Sequence, residues 1–156
     1  MHSVPRIDSH QHFWKYDAVR DSWITDDMKV IQRDFFPSDL SPVLSENKID
    51  GCVSVQADQS EQETHFLLSH ADQSSFIKGV VGWVDLCSQD LEQKLVSYSR
   101  FQKLKGFRHV VQGEPDGFLL QKDFVKGIKR LIDFNFTYDI LVYSRQLEEV
   151  LEFLNK

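Results

Sequence analysis

The feature that most limits the folds open to this chain is a regular exchange of two periodicities. Short runs rich in β-branched and aromatic residues alternate with segments whose apolar residues recur every three or four positions, the pattern of βα units around a parallel sheet. Five such units can be traced, with strands expected at Pro5 to Gln11, Cys52 to Ala57, Ile77 to Val84, Gly106 to Gln112 and Thr137 to Tyr143. The first helical stripe is Leu40, Val43 and Leu44, introduced by Ser38 or Ser41. Ser60 and Glu63 form a capping box ahead of Phe66, Leu67 and Ala71. Further stripes are Leu91, Leu95 and Tyr98, then Phe124, Ile128, Leu131 and Ile132, and finally Leu147, Val150, Leu151 and Leu154 behind Ser144.

A spacing of about 30 residues per unit would fill a (β/α)8 barrel in roughly 250 residues. The chain has 156 residues. The expected fold class is therefore α/β, a partial TIM (β/α)8 barrel of about five βα units, with residues 1–156 as its N-terminal portion. A doubly wound sheet is the rival architecture, but no Gly-rich phosphate loop follows the first strand. In a five-strand arc the first and fifth strands are unpaired edges, so a homo-oligomer that completes the open barrel is an expected assembly.

Several function classes are disfavoured by composition. A net charge of −6, with no Lys/Arg cluster longer than a dipeptide, gives no footing for nucleic acid. No apolar run nears the roughly 20 residues of a membrane span. Met1 stands too close to the first strand for a secretory signal, so a cytoplasmic location is expected. Cys52 and Cys87 lack metal-knuckle spacing and read as reduced packing residues.

The chemistry concentrates in RIDSHQHFW, residues 6–14. Strand alternation projects Asp8, His10 and His12 from one face, and two imidazoles at i and i+2 near the carboxyl end of a barrel strand can reach one cation. Active sites of barrels lie at that end. Gln56, Trp83, Asp85 and Tyr143 fall at the ends of later strands, where pocket residues arise, whereas His65 and His70 sit in a covering helix and His2 in the N-terminal tail.

RIDSHQHFW, GCVSVQA, FIKGVVGWVDL, KLKGFRHVVQGEPD and TYDILVYSRQL together resemble the amidohydrolase-related group that contains L-fuconolactonase and L-rhamnonolactonase. The resemblance implies a barrel hydrolase that opens a sugar lactone to its aldonic acid, with His10 and His12 as catalytic and metal-binding residues. A divalent metal, zinc before others, is the implied cofactor, and no organic cofactor is implied. Arg108 matches a position where such enzymes place a group near the substrate. With Gln56, Trp83 and Tyr143 it makes the expected substrate-binding set. An ion pair with Glu114 or Asp116 is the competing role for Arg108, and His109 should face away from it. The segments that carry the group's later histidines and its proton-transferring aspartate have no counterpart here. Two other readings stay open: a metal-independent hydrolase resembling 2-pyrone-4,6-dicarboxylate lactonase, and a non-catalytic interaction module.

Overall fold

A computed structural model describes residues 4–156, so His2 lies outside the described residues. Five parallel strands, β1 (Ile7–Gln11), β2 (Gly51–Val55), β3 (Ile77–Gly82), β4 (Leu104–Val110) and β5 (Thr137–Leu141), lie side by side in chain order. A doubly wound sheet would reverse direction at a switch point, and this one does not. Right-handed crossovers repeated in one direction put every helix on one side of a curled half-barrel, leaving the concave side for the site.

The helices are α1 (Pro37–Glu46), α2 (Glu61–Gln73), α3 (Leu91–Tyr98), α4 (Lys122–Asp133) and α5 (Leu147–Phe153). The core lies between them and the sheet, where Cys52, Val80 and Phe107 meet Leu67, Leu95 and Phe124. Phe107 has no exposed surface, and its ring stands edge-on to Tyr98 and Phe136 at 5.5 and 5.1 Å.

Three helix ends differ from expectation. Ser38 and Ser41 lie inside α1, which begins at Pro37 after Phe36. The Asp39 carboxylate accepts the Phe36 backbone N–H at 2.9 Å, and proline at the first position already has a helical φ and no donor to satisfy. At α2 the Ser60 hydroxyl accepts the Glu63 N–H at 3.1 Å, but the Glu63 carboxylate does not complete the box. It accepts the Ala57 N–H at 3.0 Å instead, across the end of β2. Ser144 opens a 3-10 turn, Ser144–Gln146, whose buried Gln146 accepts the Tyr143 N–H at 2.9 Å.

Stripe positions depart most at the open flank. Val150 is buried as expected, but Leu147, Leu151 and Leu154 are exposed, and Phe153 takes the inward place. Ile132 of α4 and Val43 of α1 are also exposed. Among the described residues β5 pairs only with β4, so α5 has a packed neighbour on one side alone. Cys87 is exposed rather than packed, while Cys52 is buried; both are free thiols.

Candidate active site

The strand β1 is not regular. Its register against β2 slips between Asp8 and Gln11, so three steps along β1 match two along β2, which is a β-bulge beside the site. Strict alternation would have set Asp8 with the imidazoles. The Asp8 carboxylate accepts the His10 backbone N–H at 3.1 Å. The two imidazoles do converge, edge to face, with His10 Nε2 and His12 Nε2 3.2 Å apart.

His12 Nδ1 lies 2.9 Å from the Val55 carbonyl oxygen, and only an N–H can make that bond. The His12 tautomer is therefore fixed with its lone pair on Nε2. Burial, followed by the Arg108 and His10 charges, pulls its pKa below the usual 6.5 against the opposing Val55 bond, so the ring is neutral at neutral pH.

Arg108 comes from β4 and is 6% exposed. One arm of its guanidinium reaches His10 Nε2 at 3.2 Å. The other donates to Gln56 Oε1 at 3.1 Å and to the Gln56 carbonyl, while Gln56 Nε2 returns a bond to the Arg108 carbonyl at 3.3 Å. Its buried Nε has no partner among the described residues. The competing ion pairs are not made by Arg108: Glu114 binds His109 at 2.8 Å and Asp116 binds Arg145 at 2.9 Å.

His10, His12, Gln56 and Arg108 thus form one cluster. Trp83 and Tyr143 stand outside it. The Trp83 indole N–H donates to His109 Nδ1 at 3.3 Å, on the helix side of β4 where His109 stacks on Phe118. Tyr143 is half exposed beyond β5. The Asp85 carboxylate accepts the Cys87 N–H, a turn-forming bond. His70 packs against Phe36 and Phe66, and His65 against Tyr98.

A cavity of about 310 Å3 opens beside the cluster, within the range of small-molecule sites. The strand ends give it His12 and Arg108, the β2–α2 connection gives it Asp58, and the first turn of α2 gives it Glu63. The rest comes from an excursion between β1 and α1. Its ends are tied where Trp14 and Phe35 exchange backbone bonds of 3.1 and 2.9 Å and their rings pack at 4.4 Å. Within it the Arg20 fork grips both Asp21 oxygens at 2.8 and 2.7 Å. Trp14, Trp23, Ile24 and Ile31 of the excursion face the cavity.

Glu63, Ile24 and Ile31 were not legible as site residues in the sequence. Glu63 has a helix-start signature, and the signal for the excursion was only its length and its tryptophans. Burial raises the Glu63 pKa, with Asp58 adding to it and the Ala57 N–H opposing it. Below the usual value of 4.5 both folded and unfolded chains carry the proton and nothing is lost. Above the raised native value the buried charge works against folding. Glu63→Gln, which keeps an acceptor for Ala57, is therefore expected to stabilise the chain by about 1 kcal/mol at pH 7. The gain should vanish in melts below the usual carboxylate range, and a gain that is the same at both pH values would contradict this account.

The chain has relatives in sequence and in fold. An L-fucono-1,5-lactonase of Burkholderia multivorans is 41% identical over 150 residues, 95% of this chain and 50% of the relative. An amidohydrolase from Burkholderia multivorans, solved with bound zinc, superposes with a TM-score of 0.92 at 40% identity, over 97% of this chain and 54% of that one. A probable 2-pyrone-4,6-dicarboxylic acid hydrolase from Acinetobacter baumannii, solved with citric acid bound, shares the fold at a TM-score of 0.73 and 18% identity, over 98% of this chain and 55% of that one. The chain spans about half the length of the curated relative. The amidohydrolase family model matches residues 7–155. With its parallel half-barrel and its strand-end histidines, the chain belongs to the amidohydrolase family.

Proposed function

We propose that this chain forms the substrate-binding half of a hydrolase that opens a sugar lactone to its aldonic acid by attack of water on the ester carbonyl. The observation that carries the reading is the convergence of His10, His12 and Arg108 at the strand ends beside a cavity of small-molecule size. Arg108 supplies fixed N–H donors where charge builds on the carbonyl oxygen during attack, and the Gln56 carbonyl and side chain hold the guanidinium in place. When the ester breaks, the ring oxygen leaves as an alcohol and takes up a proton as water gives one up. His12 Nε2, neutral and carrying a lone pair, is suited to hold that proton.

Alternatively, with the same two lone pairs given to a metal rather than to a proton and the Arg108 arm withdrawn from His10 Nε2, the donor set fits a divalent cation as two of its ligands. Two imidazole nitrogens bound to one zinc at about 2.0 to 2.1 Å lie a little over 3 Å apart. His10 and His12 stand at 3.2 Å, with His12 oriented through Nδ1 as a metal-bound histidine usually is. Among the described residues no third His, Cys, Asp or Glu joins them. Such a cation would polarise the carbonyl and lower the pKa of bound water towards about 7.

A neutral polyhydroxy lactone suits the cavity better than a dicarboxylate. Asp21 is neutralised by Arg20, but Asp58 and Glu63 leave two carboxylates against the single Arg108. That balance disfavours the pyrone-dicarboxylate reading. Among the described residues the outer edges of β1 and β5 are unpaired and leave the site open on one flank, so turnover is expected only from a species in which further strands or a second chain cover it.

The test is hydrolysis of L-fucono-1,5-lactone, followed by acid release, across fractions separated by mass. Activity in heavier species that is lost on His12→Ala supports the reading. Turnover by the strict 18.2 kDa monomer would refute the need for cover, and activity indifferent to His10 and His12 would refute the site. Because the His12 pKa is depressed, its free lone pair should persist as pH falls through 6.5 and be lost only in more acid solution. Its contribution to stability, present above 6.5, declines over the same fall, which an NMR titration of the imidazole resolves. A midpoint at or above 6.5 would contradict the buried assignment.

A further inference from the structure

Buried polar groups in folded proteins are almost always hydrogen-bonded, so each exception calls for a reason. Among the described residues four buried side-chain atoms have no partner: Trp14 Nε1, Ser54 Oγ, Arg108 Nε and Tyr138 Oη. Trp14 and Arg108 line the cavity beside the imidazoles, whereas Ser54 and Tyr138 do not. Arg108 stands at the ester end with His12, and Trp14 belongs to the excursion that walls the other side. The Trp14 indole is also held still. Its backbone exchanges two bonds with Phe35 and its ring packs on the Phe35 ring at 4.4 Å, so the N–H is a donor of fixed direction. The other two indoles differ. That of Trp83 already donates to His109, and Trp23 is 62% exposed at the rim, where water reaches it.

A hydroxyl group donates one hydrogen bond and accepts through two lone pairs. Acceptors for its proton are plentiful in the cavity, because Asp58 and Glu63 both offer carboxylate oxygens. Donors to its lone pairs are scarce. The Arg20 fork is taken up by Asp21, and the two arms of Arg108 are engaged with His10 and Gln56. Resting on the lactone-hydrolase reading, we infer that Trp14 is a substrate-binding residue whose indole N–H donates to a ring-hydroxyl oxygen of the bound lactone, while that hydroxyl gives its own proton to Asp58 or Glu63. A carboxylate alone accepts from any hydroxyl within reach. Holding one hydroxyl as donor and acceptor together fixes how the ring is turned relative to the imidazoles. Because the indole is already clamped, no side chain has to be ordered when the ligand arrives.

The probe is L-fucono-1,5-lactam, a ring-closed amide that resists hydrolysis, added to the whole chain and followed by proton–nitrogen correlation spectra of its three indoles. The Trp14 signal is the one lost in Trp14→Phe, or the one left by elimination from Trp23→Phe and Trp83→Phe if Trp14→Phe does not fold. Saturating lactam should move the Trp14 indole proton downfield, as a new hydrogen bond does, while the Trp83 proton, already bonded, holds its place. Titration calorimetry on Trp14→Phe, which keeps an aromatic ring against Phe35, should find binding weaker by about tenfold. Lactam that binds the parent chain and is lost in His12→Ala, yet leaves the Trp14 proton unmoved, would overturn the assignment and leave the hydrolase reading standing. Unchanged affinity in folded Trp14→Phe would do the same. A chain that binds no lactam would overturn both.

Discussion

Alanine at position 127 should lower the stability of the chain by about 2 to 3 kcal/mol, although alanine is the better helix former. Gly127 lies inside α4, where an exposed Gly→Ala change would gain up to about 1 kcal/mol from the unfolded chain's lost freedom. Here the helix backbone is pressed against the segment that follows β3. A methyl group on Gly127 would fall 2.8 Å from the Leu86 carbonyl carbon and closer still to its oxygen. The obstacle is backbone, which cannot swing aside as a side chain can. Either α4 lifts from the sheet, opening the contacts of Phe124 and Leu131, or the Leu86 turn shifts. Urea unfolding checks this, with the exposed site Lys126→Ala as the control for helix propensity. Greater stability in Gly127→Ala would mean that α4 does not seat on Leu86.

On the proposed lactonase reading, Arg108→Met should have the largest effect on chemistry, lowering kcat/KM for L-fucono-1,5-lactone by about 100- to 1,000-fold. It should also lower stability by about 2 to 3 kcal/mol, because the buried Gln56 carbonyl and Oε1 lose their donor. Lysine should not rescue either property. Arg108 spans His10 on one arm and both Gln56 oxygens on the other, and a single ammonium cannot reproduce that fork. Activity restored by Arg108→Lys would show that charge alone is used there. The two readouts separate because Gln56→Ala removes the support while leaving the guanidinium, and so should affect kcat through misplacement of the arginine.

What could be read from the sequence is what local periodicity encodes. Leu91, Leu95 and Tyr98 are all buried, as a stripe spaced by turns of a helix demands. Arg108 and His109 do take opposite faces of β4, since alternation along a regular strand needs no tertiary information. The failures occur where a neighbour decides. Leu147, Leu151 and Leu154 have a core-facing pattern but no covering element among the described residues, so their exposure depends on context that the helix itself does not contain. The register of β1 slips between Asp8 and Gln11, and nothing in RIDSHQHFW marks the slip. Glu63 has the right spacing for a capping box, yet the Ala57 N–H at the end of β2 is a partner that only the fold could bring near. Trp83 ends a strand like a pocket residue, and its indole is claimed by His109 on the other side of the sheet.

The order of the strands bears on how the chain comes into being. Each strand from β2 onward pairs with the one made just before it, so no strand must wait for a partner that has not yet been synthesised. Most loops closed in assembly are therefore a single βα unit long, and the entropy of closure stays small at every step. As the polypeptide emerges from the ribosome, β1 and β2 can dock with α1 while later units are still unmade, and each new unit finds a template edge already in place. Among the described residues, the outer edge of each strand is, during synthesis, the growing end on which the next strand assembles.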